Sequence, residues 1–145
     1  MAVSAWVVNN YAKLKIGNAT INLSDNALFR MALYTATASA TLVAGDVSVQ
    51  GSLAGEATGG GYSAGGEQLT GITWTESGGT VTFDSTAYVV TGSIAAIKYA
   101  VIVASVGATS GHILCYSKLS TANFAVTGSN TLTITPNASG IFTLT

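Results

Sequence analysis

The feature that most constrains this chain is the spacing of its turn signals. From Gln68 onward, β-branched and aromatic runs alternate with Gly-, Ser- and Asn-containing breaks at intervals of roughly 8–12 residues, the pattern of an all-β sandwich or barrel. Residues 68–75 alternate apolar and polar side chains, Ser77-Gly78-Gly79 signals a hairpin, and residues 80–84 alternate again. Tyr88, Val89, Val90 and Thr91 form a further β-branched run, and Gly92-Ser93 turns the chain. Residues 94–105 read as one long central strand, 106–111 as a loop and 112–118 as the next strand. Residues 124–126 and 131–135 flank Gly128-Ser129-Asn130, Pro136 closes that strand, and 141–144 form the last one. No long amphipathic helical pattern separates these runs, which argues against a parallel α/β fold and against any helix longer than about two or three turns.

The N-terminal part is less regular. Residues 1–12 read as an arm. Lys13-Leu14-Lys15-Ile16 alternates like a half-buried strand, and residues 21–23 return as a second short one. Residues 26–35 form a stronger strand whose second half is apolar enough to be buried on both faces. Residues 37–57 hold no single period and a short helix fits near 47–53; residues 37–66, with the N-terminal arm, suit contact with neighbours. A long glycine-rich loop follows, Gly59-Gly60-Gly61-Tyr62-Ser63-Ala64-Gly65-Gly66, with Tyr62 anchoring it on the body or on a neighbour. The fold class is therefore an all-β, single-domain antiparallel β-sandwich or barrel, jelly-roll or immunoglobulin-like, over residues 1–145. Alternation places Phe29, Met31, Leu33, Ile72, Trp74, Val81, Phe83, Ile97, Tyr99, Val101, Val103, Leu114, Leu132, Ile134 and Phe142 in its core.

Several chemistries lack their residues. Only 8% of the chain is charged, with a net charge of -1, against roughly 25% in ordinary domains. No basic patch for nucleic acid is expected, and so bare a surface suits self-association. Cys115 is the single cysteine, so neither an intrachain disulfide nor a thiolate zinc cluster is possible; it reads as a small buried hydrophobe. Gly66 is followed by Glu67 and not by Lys-Ser/Thr, so the glycine run is no phosphate loop. The single histidine, His112, could in principle join a serine with Asp84 or Asp46, but no nucleophile elbow supports it. The six acids are scattered, without glycosidase or calcium-loop spacing. The expectation is a protein that is not an enzyme and has no cofactor or metal. Asn18, Asn22 and Asn137 begin Asn-x-Ser/Thr triplets of the kind a Ser/Thr-rich chain contains by chance. Neither a signal peptide nor a membrane-spanning helix is expected. Trp6, Tyr62, Trp74, Tyr88, Tyr99 and Tyr116 could form a sugar-binding platform, although aromatics in strands more often face a core or an interface.

The run Gly61-Tyr62-Ser63-Ala64-Gly65-Gly66 resembles a Gly-Tyr-x-x-Gly-Gly motif of small virion proteins from tailed bacteriophages. Leu69, the Gly78-Gly79 turn, Val81-Thr82-Phe83, the segment from Lys98 to Val103 and the Gly140-Ile141-Phe142 ending also fit. The resemblance spans most of residues 28–145. It implies a structural particle protein located on the virion capsid surface, a capsid decoration or cement protein. Its partners would be the major capsid protein and further copies of itself, a trimer being favoured by capsid geometry. Gly61, Tyr62, Gly65 and Gly66 would form an interaction loop. A tail or head–tail connector subunit, or a displayed carbohydrate-binding module, is the alternative.

Overall fold

The computed structural model describes residues 4–45, 47–105 and 111–145. Asp46 and the expected loop at 106–110 lie outside the described residues. The fold is an all-β antiparallel sandwich, with two short α-helices and no closed barrel among the described residues. One layer is a five-stranded sheet in the order β1 (Val7–Val8), β10 (His112–Lys118), β9 (Tyr99–Ala104), β2 (Phe29–Tyr34), β4 (Glu67–Gln68). The facing layer is built from three smaller sheets. In these, β8 (Ile94–Ile97) lies between β11 (Phe124–Val126) and β3 (Thr58–Gly59), and β12 (Thr131–Ile134) pairs with β7 (Tyr88–Thr91). The third places β6 (Thr80–Asp84) between β13 (Phe142–Leu144) and β5 (Thr73–Ser77).

Side-chain alternation divides the large sheet between two cores. Phe29, Met31 and Leu33 of β2 and Ala100, Ile102 and Ala104 of β9 face the smaller sheets, where they meet Ile97, Phe83, Leu132 and Ile134. Ala32, Tyr34, Tyr99, Val101 and Val103 face the other way into a second cluster. In β10 a β-bulge between Ile113 and Cys115 inserts Leu114, so Leu114 and Cys115 both enter the main core while Ile113 and Tyr116 face the second. Phe83 anchors the opposite layer, edge-on to Phe29 at 5.0 Å and stacked on Phe142 at 5.1 Å.

The second cluster is covered by residues 36–53, which contain a 3₁₀ turn, helix α2 (Ser39–Ala44) and another 3₁₀ turn. The sequence reading counts residues 37–66 among the parts that reach neighbours; within the covering segment Ala38, Leu42, Val47 and Leu53 turn inward onto the sheet. Their spacing follows neither helix nor strand because the segment changes conformation every few residues. The expected short helix at 47–53 is only the 3₁₀ turn Gln50–Ser52, and the α-helix lies earlier, at α2.

Three further expectations are corrected. Residues 13–16 are not a strand but part of helix α1 (Asn10–Gly17), because Asn9 is extended and its Oδ1 accepts the Tyr11 N–H at 2.8 Å, an N-cap that starts the helix. Residues 21–23 form no strand, though Ile21 and Leu23 are buried. Residues 94–105 are two strands in different sheets: Ala96 has φ 54, and at Lys98 the chain crosses between layers, its N–H donating to Tyr34 O at 2.7 Å. The described part of the expected N-terminal arm lies along the body, with Val7 opposite Tyr116 and Ser117 Oγ donating to Ser4 O at 2.7 Å. The expected core is buried except for Trp74 and Val81, which are half-buried in the outer sheet of β5 and β6.

The covering segment should contribute to stability through Leu42, which is 0% exposed. Leu42→Ala should cost about 2–5 kcal/mol, whereas Val43→Ala, at a side chain 71% exposed, should change stability by less than about 0.5 kcal/mol. Urea unfolding of the two variants checks this; equal midpoints would mean that the segment does not seal the sheet.

Candidate functional site

The glycine run connects the two layers. On entering, Thr58 and Gly59 pair with Ala95 and Ile94 of β8; on leaving, Glu67 and Gln68 pair with Met31 and Arg30 of β2. Backbone packs directly on backbone at two points between. A Cβ on Gly61 would overlap the carbonyl of Thr91, and one on Gly66, where φ is +81, would stand 2.5 Å from Met31 O. Only glycine fits such contacts, which is the physical content of the motif.

Tyr62 anchors this loop on the body and is 8% exposed. Its Oη accepts the Leu33 N–H at 3.1 Å and donates to Glu56 Oε1 at 2.6 Å; the same carboxylate oxygen accepts the Gly65 N–H at 2.6 Å. Glu56 thus clamps the tyrosine and the loop backbone together, while its own backbone bridges Tyr34. Burial, reinforced by donation to Glu56, raises the Tyr62 phenol well above the ordinary tyrosine range. Burial also pushes Tyr34 up to about 12, with Glu56 adding to the rise. Of the expected interaction loop, Gly61 and Gly65 are half-buried and Tyr62 and Gly66 buried, so the tyrosine side chain is committed inward; Ser63 and Ala64 are the exposed tip. Glu56 escaped notice because a carboxylate six residues before the tyrosine belongs to no motif.

The remaining candidates are dispersed. His112 is half-buried at the start of β10 with Nδ1 3.3 Å from Ser48 O, while Asp84 closes β6 in another sheet and accepts the Ser85 N–H at 2.8 Å. Cys115 is fully buried, and desolvation raises its thiol well above the usual range. No group of three or more His, Cys, Asp or Glu side chains among the described residues could hold a metal ion. The three Asn-x-Ser/Thr triplets share one local structure: Asn18, Asn22 and Asn137 each accept, through Oδ1, the N–H two residues on, at 3.1, 3.1 and 3.0 Å.

Of the six aromatics that could form a platform, Tyr62, Tyr88, Tyr99 and Tyr116 are buried. Trp6 and Trp74 are half-buried, and each borders a groove. The Trp6 groove, about 490 Å³, runs between residues 4–6 and the segment from Asn137 to Thr143. The Trp74 groove, about 370 Å³, is bordered by Ile16, Ile21 and Leu23. Sequence patterning also missed exposed apolar side chains: Val7 is 48% exposed, and on α1 Tyr11 and Leu14 are 43% and 60% exposed. Tyr11 and Leu14 are three residues apart and therefore share a helix face. Comparison with known proteins found no matching family model, curated protein or solved structure.

Tyr62→Phe leaves the Leu33 N–H and the Glu56 carboxylate each short of a partner and should cost about 1–3 kcal/mol; Tyr11→Phe, at an exposed ring, should cost little. Denaturant midpoints test this directly, and equal losses would deny the clamp its role. In alkali, an unfolded tyrosine releases its proton near pH 10 whereas Tyr34 holds its own to about 12. Its contribution to stability is therefore present below about pH 10 and lost as pH rises through 12. Tyrosinate absorbance and circular dichroism recorded together should show buried phenols ionising only as the fold is lost; buried phenols titrating near pH 10 in an intact fold would contradict this.

Proposed function

We propose that this chain is a structural virion protein, a capsid decoration or cement protein that attaches to the outer face of an assembled tailed-phage head. The observation that carries attachment is a surface poor in charge that leaves Val7, Tyr11 and Leu14 exposed along the N-terminal segment. The capsid enters from the resemblance of the Gly61–Gly66 run, with the major capsid protein and further copies of the chain as partners and a trimer as the favoured assembly. The protein works by covering surface and not by catalysis, with neither nucleic acid nor membrane as partner. A specific attachment needs roughly 1,200–2,000 Å² of total buried area. Binding only the expanded lattice would stabilise that lattice through linkage.

In this reading the glycine loop acts through its rigidity. The Glu56–Tyr62 clamp holds the Ser63–Ala64 tip in a fixed position, and attachment at many equivalent sites raises the local concentration of each chain beside the next. The tail or head–tail connector is the competing location.

Electron microscopy of purified particles labelled on this protein decides between them: signal over the whole shell is expected, and signal confined to the tail or one vertex would reject the decoration reading. Leu14→Glu, placing a charge on the exposed face of α1, should lower occupancy at least about tenfold, since few side chains carry most interface energy. Its copy number relative to the major capsid protein gives that measurement.

A further inference from the structure

We propose that the groove beside Trp6 is a binding site for a neutral saccharide. Its polar lining comes from Ser4, Asn137, Ser139 and Thr143, its aromatic and apolar lining from Trp6 and Phe142, and no ionisable side chain among the described residues borders it. Its volume, about 490 Å³, lies within the about 300–1,000 Å³ of small-ligand sites. Hydroxyls that both donate and accept, beside an amide, match the vicinal hydroxyls of a sugar, while an aromatic ring packs on the C–H face of a pyranose. A carboxylate or phosphate ligand would call for a cation in the lining, and the described residues supply none.

The walls are set before any ligand arrives. On one side Ser4 Oγ donates to Lys118 O at 2.6 Å, and Ser117 Oγ donates to Ser4 O at 2.7 Å. On the other, Gly140 N–H donates to Asn137 O at 2.8 Å, Ser139 N–H to Asn137 Oδ1 at 3.0 Å, and Ile141 N–H to Phe83 O at 2.8 Å. Asn137 therefore spends its side-chain oxygen on its own turn, and its amide nitrogen has no partner among the described residues. The Trp6 indole N–H is buried and likewise has no partner among the described residues. The ring is held by packing against the main core, with no hydrogen bond to a described residue. Trp74 borders the other groove, where Asn22 and Ser24 stand beside Ile16, Ile21 and Leu23, and its ring lies 6.2 Å from that of Phe142.

With two tryptophans in the chain, two-dimensional NMR of the full chain resolves two indole N–H resonances. Maltoheptaose, cellopentaose and N-acetylated chitotetraose at millimolar concentrations are the probes, with polygalacturonate as the charged control. At least one neutral oligosaccharide should shift the Trp6 indole and the amides of residues 137–143, leaving Trp74 unmoved. Trp6→Ala should weaken binding at least about tenfold, as loss of a central aromatic contact does. Asn137→Ala, at an exposed turn, should weaken it several-fold and keeps the test independent of any folding defect in the tryptophan variant. No shift with any neutral probe, shifts centred on Trp74, or preference for polygalacturonate would each overturn the proposal.

Discussion

The burial of β2 and β9 on both faces is the constraint on which the rest of this structure depends. A strand with apolar side chains on both sides needs two covers. The smaller sheets supply one through Ile97, Phe83, Leu132 and Ile134, and residues 36–53 supply the other through Leu42, Val47 and Leu53. The bulge at Leu114 serves the same demand, because it lets β10 present two consecutive side chains to the deeper core and then restore its alternation. Without the second cover, Val101 and Val103 would lie open beside Tyr34 and Tyr99, a wide apolar face on a chain with few charges to keep it soluble.

The glycine loop meets a different need. The two layers of a sandwich are held mainly by nondirectional apolar contact, which sets their spacing more firmly than their lateral position. The loop adds directional contacts by hydrogen-bonding into β8 at one end and β2 at the other. Tyr62 then ties it to the backbone of Leu33. Because Glu56 accepts from both the tyrosine and Gly65, the loop's geometry rests on one carboxylate in a chain with few others.

How much of this could be read in advance depended on whether a signal was local. The hairpin at Gly78-Gly79 and the strands at Thr80–Asp84, His112–Lys118 and Thr131–Ile134 follow from alternation and turn chemistry within a few residues. Helix α1 was misread because four alternating residues fit either period, and the deciding Asn9 cap lies outside that window. The break at Lys98 was missed because Ile94 through Ala104 is apolar but for Lys98 itself, and the crossing between layers is a tertiary event. In the loop, the need for glycine was legible; that Tyr62 turns to the body and not to a neighbour was not, nor was its Glu56 partner, since both depend on how the fold returns the chain. The Trp6 groove was hidden for the same reason, as its walls come from opposite ends of the sequence.

That last property also governs how the chain comes to be folded. Val7 pairs with Tyr116, and β2 reaches its partner β9 only after the glycine loop, strands of all three smaller sheets and the crossover have been made. During synthesis the N-terminal strand therefore waits for more than a hundred residues before its partner exists, an interval of roughly 5–20 seconds at ordinary elongation rates. Contacts so distant in sequence make folding slow and largely post-translational. Helix α1, only 8 residues long, is too short to hold its shape alone, and its Ala12 is buried in the main core, so it too becomes fixed only once β10 is in place to pack against it.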